Sequence, residues 1–167
     1  MNGVFLNMQK QTSFTVQEAQ KKLERYCAYQ ERCHQEVVQK LKSLNMIPVA
    51  IDQIISELIT NNYLNETRFA QAYVRGKFRH KKWGKIRIQS QLKLRQISPW
   101  NIKKAMEEIP YEEYLKTFDE LFNKFWVQYK QKDLFLCQKK VVDRLQYRGW
   151  ENELIFEAIN QKKREYS

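Results

Sequence analysis

The sequence has few of the residues that reverse a polypeptide chain: four glycines and three prolines in 167 positions. A β-sheet needs such residues at every turn between strands, whereas long helices need few of them. Their scarcity therefore predicts an all-α fold. Hydrophobic residues make up 43% of the chain and aromatic residues 13%, which is enough apolar material to bury a core and argues against a disordered chain.

Long apolar runs are also lacking. No window approaches the roughly 18 consecutive apolar residues of a membrane helix, and residues 1–15 have neither the basic start nor the apolar stretch of a secretory signal. The three cysteines, Cys27, Cys33 and Cys137, are odd in number and have no C-x-x-C spacing, which is typical of buried free thiols in a reducing compartment. We therefore expect a cytoplasmic protein without a membrane segment.

The patterns that mark catalytic and metal sites are missing as well. His34 and His80 are the only histidines, and neither has a metal-binding spacing to cysteine or to an acidic residue. The chain has no glycine-rich phosphate loop, no G-x-G-x-x-G and no G-x-S-x-G nucleophile motif. We therefore expect a protein that is not an enzyme and that uses no cofactor or metal.

What the sequence contains instead is one apolar pattern in three copies. In each copy apolar residues recur at i and i+4 and then, after a break in phase at Asn45, Gln96 or Gly149, at i, i+3 and i+4. Both spacings are typical of helices, and the copies stand 51 and 53 residues apart. The matching positions are Val37, Leu41, Met46, Ile51, Ile54 and Ile55; Ile88, Leu92, Ile97, Ile102, Ala105 and Met106; and Val141, Leu145, Trp150, Ile155, Ala158 and Ile159.

A further helix is expected before each of these helix pairs, from apolar spacing around Leu23, Phe69 and Phe122. Repetition with a period near 50 residues is typical of repeat proteins. We therefore predict three tandem three-helix repeats that form an elongated, curved array; an irregular helical bundle whose pairs match by chance is the alternative. The predicted segments are a flexible N-terminal segment at 1–14, repeat 1 at 15–62, a strongly basic repeat 2 at 63–110 and repeat 3 at 111–167.

Several helix ends can be predicted from local chemistry. The run from Phe14 to Glu18 is a capping box, in which Thr15 and Glu18 satisfy each other's backbone N–H groups. Pro48 and Pro99 fall at the same repeat position, where proline at a first helical turn loses no hydrogen bond, and Ser98 is expected to cap the helix that begins at Pro99. Pro110 is expected to end that helix.

Positive charge is concentrated in the middle of the chain, which has a formal net charge of +11. No acidic residue occurs between Glu66 and Glu107, whereas twelve lysines and arginines do. The rest of the chain is close to neutral, so the middle repeat is the charged element. Cations without interleaved carboxylates favour binding to a polyanion, above all to nucleic acid phosphates.

The candidate binding residues are the cations of this stretch and a second, smaller cluster spaced for one helix face in the last repeat. They are Arg75, Lys77, Arg79, Lys81, Lys82, Lys85, Arg87, Lys93, Arg95, Lys103, Lys104, Lys140, Arg144 and Arg148. Phe78 and Trp83 lie among the first group and are suited to stacking on unpaired bases, but we favour the interpretation that they belong to the core.

Three segments resemble the RecX family, and the first, Cys27 to Leu44, is similar to the family's opening segment, where a leucine-rich helix ends before the first linker. The stretch Tyr63-Leu64-Asn65-Glu66-Thr67-Arg68-Phe69-Ala70-Gln71-Ala72-Tyr73-Val74 is similar to a family pattern of an aromatic, a leucine, two polar or acidic residues and then Phe-Ala before an aromatic–aliphatic pair. Trp83-Gly84-Lys85-Ile86-Arg87-Ile88-x-x-x-Leu92 is similar to the family's Gly-x-x-x-Ile-x-x-x-Leu helix start. The likeness covers roughly residues 20 to 160, and the repeat period agrees with the family's tandem three-helix build.

The resemblance implies a regulator of the RecA recombinase that acts in recombination, DNA repair and the SOS response without chemistry of its own. The implied partners are the RecA filament and single-stranded DNA, with double-stranded DNA as a further ligand, and we expect a monomer. The main alternative is a helix-turn-helix regulator of transcription, since each helix pair has that general shape. An RNA-binding or ribosome-associated basic protein is a third hypothesis.

Overall fold

The computed structural model describes residues 13–130 and 133–165, and these ranges contain nine α-helices and no strand. The predicted all-α fold is confirmed. The helices are α1 (Val16–Tyr29), α2 (His34–Ser43), α3 (Pro48–Thr60), α4 (Glu66–Lys81), α5 (Lys85–Leu94), α6 (Pro99–Met106), α7 (Tyr111–Tyr129), α8 (Leu134–Tyr147) and α9 (Asn152–Glu165). Within these ranges no helix combines the length and the apolar character that crossing a bilayer requires.

The chain divides into two compact units, the first ending at Asn65 and the second beginning at Glu66. The first unit contains α1 to α3, and the second contains α4 to α9. The predicted repeat bounds and the curvature of the array stay predictions. Most of the predicted N-terminal segment, residues 1–12, lies outside the described residues.

The predicted helix starts are formed by the expected side chains. Thr15 Oγ1 accepts a hydrogen bond from Glu18 N at 3.2 Å, and Glu18 Oε2 accepts one from Thr15 N at 2.8 Å, which completes the capping box of α1. Ser98 caps α6 by accepting a bond from Asn101 N. The expectation for Pro110 was wrong in position: α6 already ends at Met106, and Pro110 is the N-cap residue of α7.

The break in phase between the paired helices is the same left-handed turn in all three copies. Asn45, Gln96 and Gly149 have φ values of 59°, 59° and 78°. In each copy the N–H of the following residue donates to a carbonyl five residues earlier, for example from Ile97 to Leu92 at 3.1 Å and from Trp150 to Leu145 at 3.2 Å. This is the hydrogen bond of a Schellman-type helix end, so the phase break predicted from the sequence is confirmed at each of the three positions.

Each copy also buries a small residue at one shared repeat position. Cys33, Gly84 and Cys137 stand 51 and 53 residues apart, like the copies themselves, and all three are buried.

The predicted buried free thiols are confirmed at the three cysteines, Cys27, Cys33 and Cys137. Burial raises the pKa of the Cys33 and Cys137 thiols above the usual range, so both thiols stay protonated near neutral pH.

A stack of aromatic rings forms the centre of the second unit. The Tyr114 ring lies 5.9 Å from the Phe78 ring and 4.5 Å from the Trp150 ring, and the Phe118 ring lies 5.4 Å from the Trp150 ring. These side chains come from α4, from α7 and from the connection between α8 and α9. Because aromatic pairs at these distances stabilise packing beyond their buried area, the stack joins the two helix triplets of this unit.

Two glycines let the backbone before α5 touch the backbone after α8. Gly84 N donates to Arg148 O at 2.8 Å, and Ile86 N donates to Gly149 O at 3.1 Å. A Cβ on Gly84 would lie 2.2 Å from Gly149 O, so a larger residue does not fit. This contact, which we call the glycine joint, brings the cations at the start of α5 beside those at the end of α8.

Tyr114 stabilises the glycine joint through two hydrogen bonds of its hydroxyl group. Its hydroxyl accepts a hydrogen bond from Lys85 N at 3.0 Å and donates one to the Glu151 carboxylate. Burial first, and the Glu151 carboxylate second, raise the pKa of Tyr114 well above its ordinary range. The hydroxyl is therefore a fixed, neutral donor that ties α7 to both sides of the joint.

Candidate polyanion-binding surface

Three of the predicted binding cations pair with carboxylates. Arg75 lies 2.8 Å from Glu108, and Arg79 lies 3.6 Å from Glu113. Lys104 pairs with its helix neighbour Glu107 at 2.9 Å. The expectation that these cations lack carboxylate partners was therefore wrong for the three. Folding brings Glu108 and Glu113 back against α4, and Lys104 pairs locally with a residue three positions later. Such exposed pairs contribute at most about 1 kcal/mol each.

A second group of cations lies over aromatic rings instead. We call it the stacked row, and it alternates cation and ring in the order Arg95, Tyr73, Lys77, Trp83, Arg87, Tyr147. The centroid distances along the row are 4.9, 5.1, 5.0, 4.1 and 4.6 Å. All five are within the roughly 6 Å over which a cation is attracted to a ring face.

The local sequence explains how the row is assembled. Tyr73 and Lys77 are one turn apart on α4, so they share a helix face that Arg75 and Arg79 do not. Trp83 lies in the connection after α4, and α5 then supplies Arg87 in its first turn. The glycine joint adds Tyr147, whose backbone carbonyl accepts a hydrogen bond from Arg87 Nη1 at 2.6 Å.

Arg144 of α8 and Arg148, the C-cap residue of that helix, extend the positive surface beyond the stacked row. Arg148 lies over the Phe125 ring at 5.0 Å, and Arg144 Nε donates to the Tyr129 hydroxyl at 3.1 Å. Partial burial first, and then the nearby charges of Arg144 and Arg87, lower the pKa of Arg148 from its usual value. We call Arg87, Arg144 and Arg148 the arginine cluster; its like charges repel, and a bound polyanion would relieve that repulsion.

The remaining predicted cations are scattered over the second unit. Lys85 lies over the Tyr114 ring at 4.4 Å. The others are exposed and form no ion pair among the described residues; they are Lys81, Lys82, Lys93, Lys103 and Lys140. The structure thus groups five of the fourteen candidates in the stacked row and arginine cluster, pairs three with carboxylates, and leaves the rest dispersed.

The two aromatic candidates differ in their surroundings. Phe78 is 2% exposed and packs on Tyr114, so the core interpretation is confirmed for it. Trp83 is half-buried, and Lys77 and Arg87 lie over its ring. Trp83 is therefore only partly a core residue, and it also positions two cations. Sequence reasoning missed Tyr147, because its contact with Arg87 spans 60 positions.

No group of histidine, cysteine, aspartate and glutamate side chains within 13–130 and 133–165 has the arrangement of a metal site. The clustered functional side chains of the second unit are cations and aromatics, which bind anions by charge and shape. The chemistry of these side chains suits binding to a negatively charged polymer.

Comparison with known proteins agrees with the predicted resemblance. Residues 65–106 match the family model described as "RecX, second three-helix domain", a range that includes five of the six residues of the stacked row. Regulatory protein RecX of Lactobacillus johnsonii is 28% identical over 129 residues, which are 77% of this chain and 48% of that protein. Regulatory protein RecX of Bacillus cytotoxicus is 25% identical over 84% of this chain and 52% of its own length.

The chain thus spans about half the length of these curated relatives. The fold is similar to the crystal structure of RecX from Lactobacillus salivarius, with a TM-score of 0.75, 24% identity, and coverage of 88% of this chain and 95% of that one. The resemblance to the RecX family that the sequence predicts is confirmed.

Proposed function

From the premise that this chain resembles the RecX regulatory proteins, we propose that it binds the RecA recombinase filament on single-stranded DNA and modulates its activity in recombination and DNA repair. In this proposal it acts in the cytoplasm as a monomer. Its relatives are named regulatory proteins, which supports a role in control rather than in chemistry. The single observation that carries the proposal is the stacked row together with the arginine cluster.

The physical support for this proposal is that the cations of the stacked row and the arginine cluster have no carboxylate partner among the described residues. They are Lys77, Arg87, Arg95, Arg144 and Arg148. Each phosphate that such a cation neutralises releases a condensed counterion, and this release drives binding at low salt. The single-stranded DNA of such a filament carries a dense row of phosphates, so a surface of this kind suits it.

The helix-turn-helix alternative has weaker support. Asn101, the one amide on the short α6 that would suit base recognition, is already engaged: it accepts from Thr67 Oγ1 at 2.7 Å and donates to the Glu66 carboxylate. A side chain with both ends occupied would have to break these bonds before it could reach a base edge.

Hydrolysis of ATP by RecA on single-stranded DNA provides the test. We expect the chain to change the hydrolysis rate when it is present in amounts comparable to RecA. The double variant Arg87→Gln with Arg148→Gln should lose most of this effect at moderate salt, whereas Arg75→Gln with Arg79→Gln, which removes equal charge from carboxylate-paired positions, should lose much less. An inert wild-type chain that binds one duplex operator tightly would instead support the transcription regulator.

A further inference from the structure

We propose that the stacked row binds the phosphodiester backbone of a nucleic acid and does not stack its bases. The proposal rests on the proposed function in one respect, that DNA is the polymer at this surface, and it adds how the polymer is recognised. The aromatic rings would position cations, and the cations would contact phosphates.

Two cations already lie over each of the rings, Trp83 and Tyr73, on which a base could stack. The Arg87 guanidinium carbon lies 4.1 Å from the Trp83 centroid, and Lys77 Nζ lies 5.0 Å from the same centroid. Two cations, Lys77 and Arg95, also lie over Tyr73. Proteins that stack bases present aromatic rings with an open face, so Trp83 and Tyr73 are poorly suited to that role.

The same contacts hold the cations in place before a ligand arrives. Lysine and arginine side chains normally lose much rotational freedom when they bind, which costs affinity. Here Arg87 is held between a ring and the Tyr147 carbonyl at 2.6 Å, and Arg95 Nη1 donates to Gln91 O at 2.9 Å. A cation held by rings and carbonyls leaves its positive charge uncompensated, whereas the charge of a cation held by a carboxylate is offset by that carboxylate.

The row is also continuous. Lys77 lies over both Tyr73 and Trp83, and Arg87 lies over both Trp83 and Tyr147, so each pair of neighbouring cations shares one ring. Arg148 and Arg144 continue the positive surface past Tyr147. Consecutive phosphates of one strand would therefore each contact a cation of this surface.

The direct test compares two polymers on the wild-type chain by fluorescence anisotropy: a thymidine oligonucleotide and an abasic phosphodiester polymer of equal length. We expect affinities within about threefold of each other, since the bases contribute little. Loss of even one base stack lowers affinity by about tenfold. An abasic polymer that binds ten or more times weaker would overturn the proposal, as would the absence of binding to both polymers.

Variants separate the role of the rings from that of the charges. Arg87→Gln should weaken both polymers by the same factor and reduce the salt slope of binding by about 0.7, whereas Lys162→Gln, which removes one charge outside the row, should not. Trp83→Leu should weaken both polymers three- to tenfold, and Trp83→Phe should restore binding because it keeps a ring. Tyr147 is the most exposed ring of the row, at 70%, so a loss in Tyr147→Ala confined to the oligonucleotide would reveal stacking.

These measurements need no RecA. If the chain binds both polymers equally but leaves ATP hydrolysis by RecA unchanged, the proposal of backbone binding stands and the proposed regulatory function is refuted. If the chain changes ATP hydrolysis by RecA but binds the oligonucleotide more tightly than the abasic polymer, the regulatory function stands and backbone binding is refuted.

Discussion

Replacing Gly149 by alanine should destabilise the second unit through a single methyl group. Gly149 has a φ of 78°, and its Cβ would lie 2.3 Å from Arg87 Cβ and 2.4 Å from Arg87 N. The left-handed conformation costs an L-residue about 1–2 kcal/mol, and forcing an atom into packed backbone costs about 1–3 kcal/mol more. Backbone cannot rotate away as a side chain can, so we expect the free energy of unfolding to fall by about 2–5 kcal/mol.

Urea denaturation followed by tryptophan fluorescence is the appropriate assay. All four tryptophans, Trp83, Trp100, Trp126 and Trp150, lie in the second unit, so their emission reports on that unit alone. The same variant should weaken binding to single-stranded DNA, because relief of the clash moves Arg87 away from Arg148 and disrupts the arginine cluster.

Gln96 provides the matched control at the equivalent position of the middle copy. It has a φ of 59° and is exposed, so Gln96→Gly relieves backbone strain and should raise the free energy of unfolding by about 1 kcal/mol. If Gly149→Ala changes the free energy of unfolding by less than about 0.5 kcal/mol, which is the scatter of neutral surface substitutions, the glycine joint does not constrain the second unit.

Two further substitutions test other parts of the fold. Tyr114→Phe should cost about 1–3 kcal/mol at neutral pH, because Lys85 N and the Glu151 carboxylate lose their buried partner. Because folding raises the pKa of Tyr114, the stability that its hydroxyl contributes is complete below the ordinary tyrosine pKa of about 10 and is lost as the pH rises above that value. If urea titrations above that pH show the same difference in unfolding free energy between wild type and Tyr114→Phe, the assignment is contradicted. Thr15→Ala should destabilise the first unit by about 1 kcal/mol through loss of the capping box, and an unchanged thermal transition by circular dichroism would show that the cap is dispensable.

The parts of the fold that could be predicted are those with local causes. The capping box at Thr15, the cap at Ser98 and the left-handed turns at Asn45 and Gly149 each depend on a few adjacent residues. The threefold copy was visible because the same local signals recur at a fixed spacing. Gln96 shows that the repeat is a stronger signal than residue preference, since it adopts the left-handed conformation against its own tendency.

The candidate site was harder to predict because its partners are distant in sequence. The stretch from 67 to 106 has no acidic residue, yet Arg75 and Arg79 reach Glu108 and Glu113 just beyond its end. Residue composition alone cannot separate these paired cations from Lys77 and Arg95, which lie on other faces of the same helix pair. That separation depends on tertiary packing, which the spacing of charges along the chain does not encode.

The buried small residue shared by the three copies has a practical consequence. Only the thiolate reacts with maleimides and similar reagents, and Cys33 in the first unit and Cys137 in the second are both buried with raised pKa values. Their modification therefore has to wait until the surrounding helices separate. The first unit contains two buried thiols, Cys27 and Cys33, and the second contains Cys137, so the labelling rates at these sites would give the opening frequency of each unit without any engineered probe.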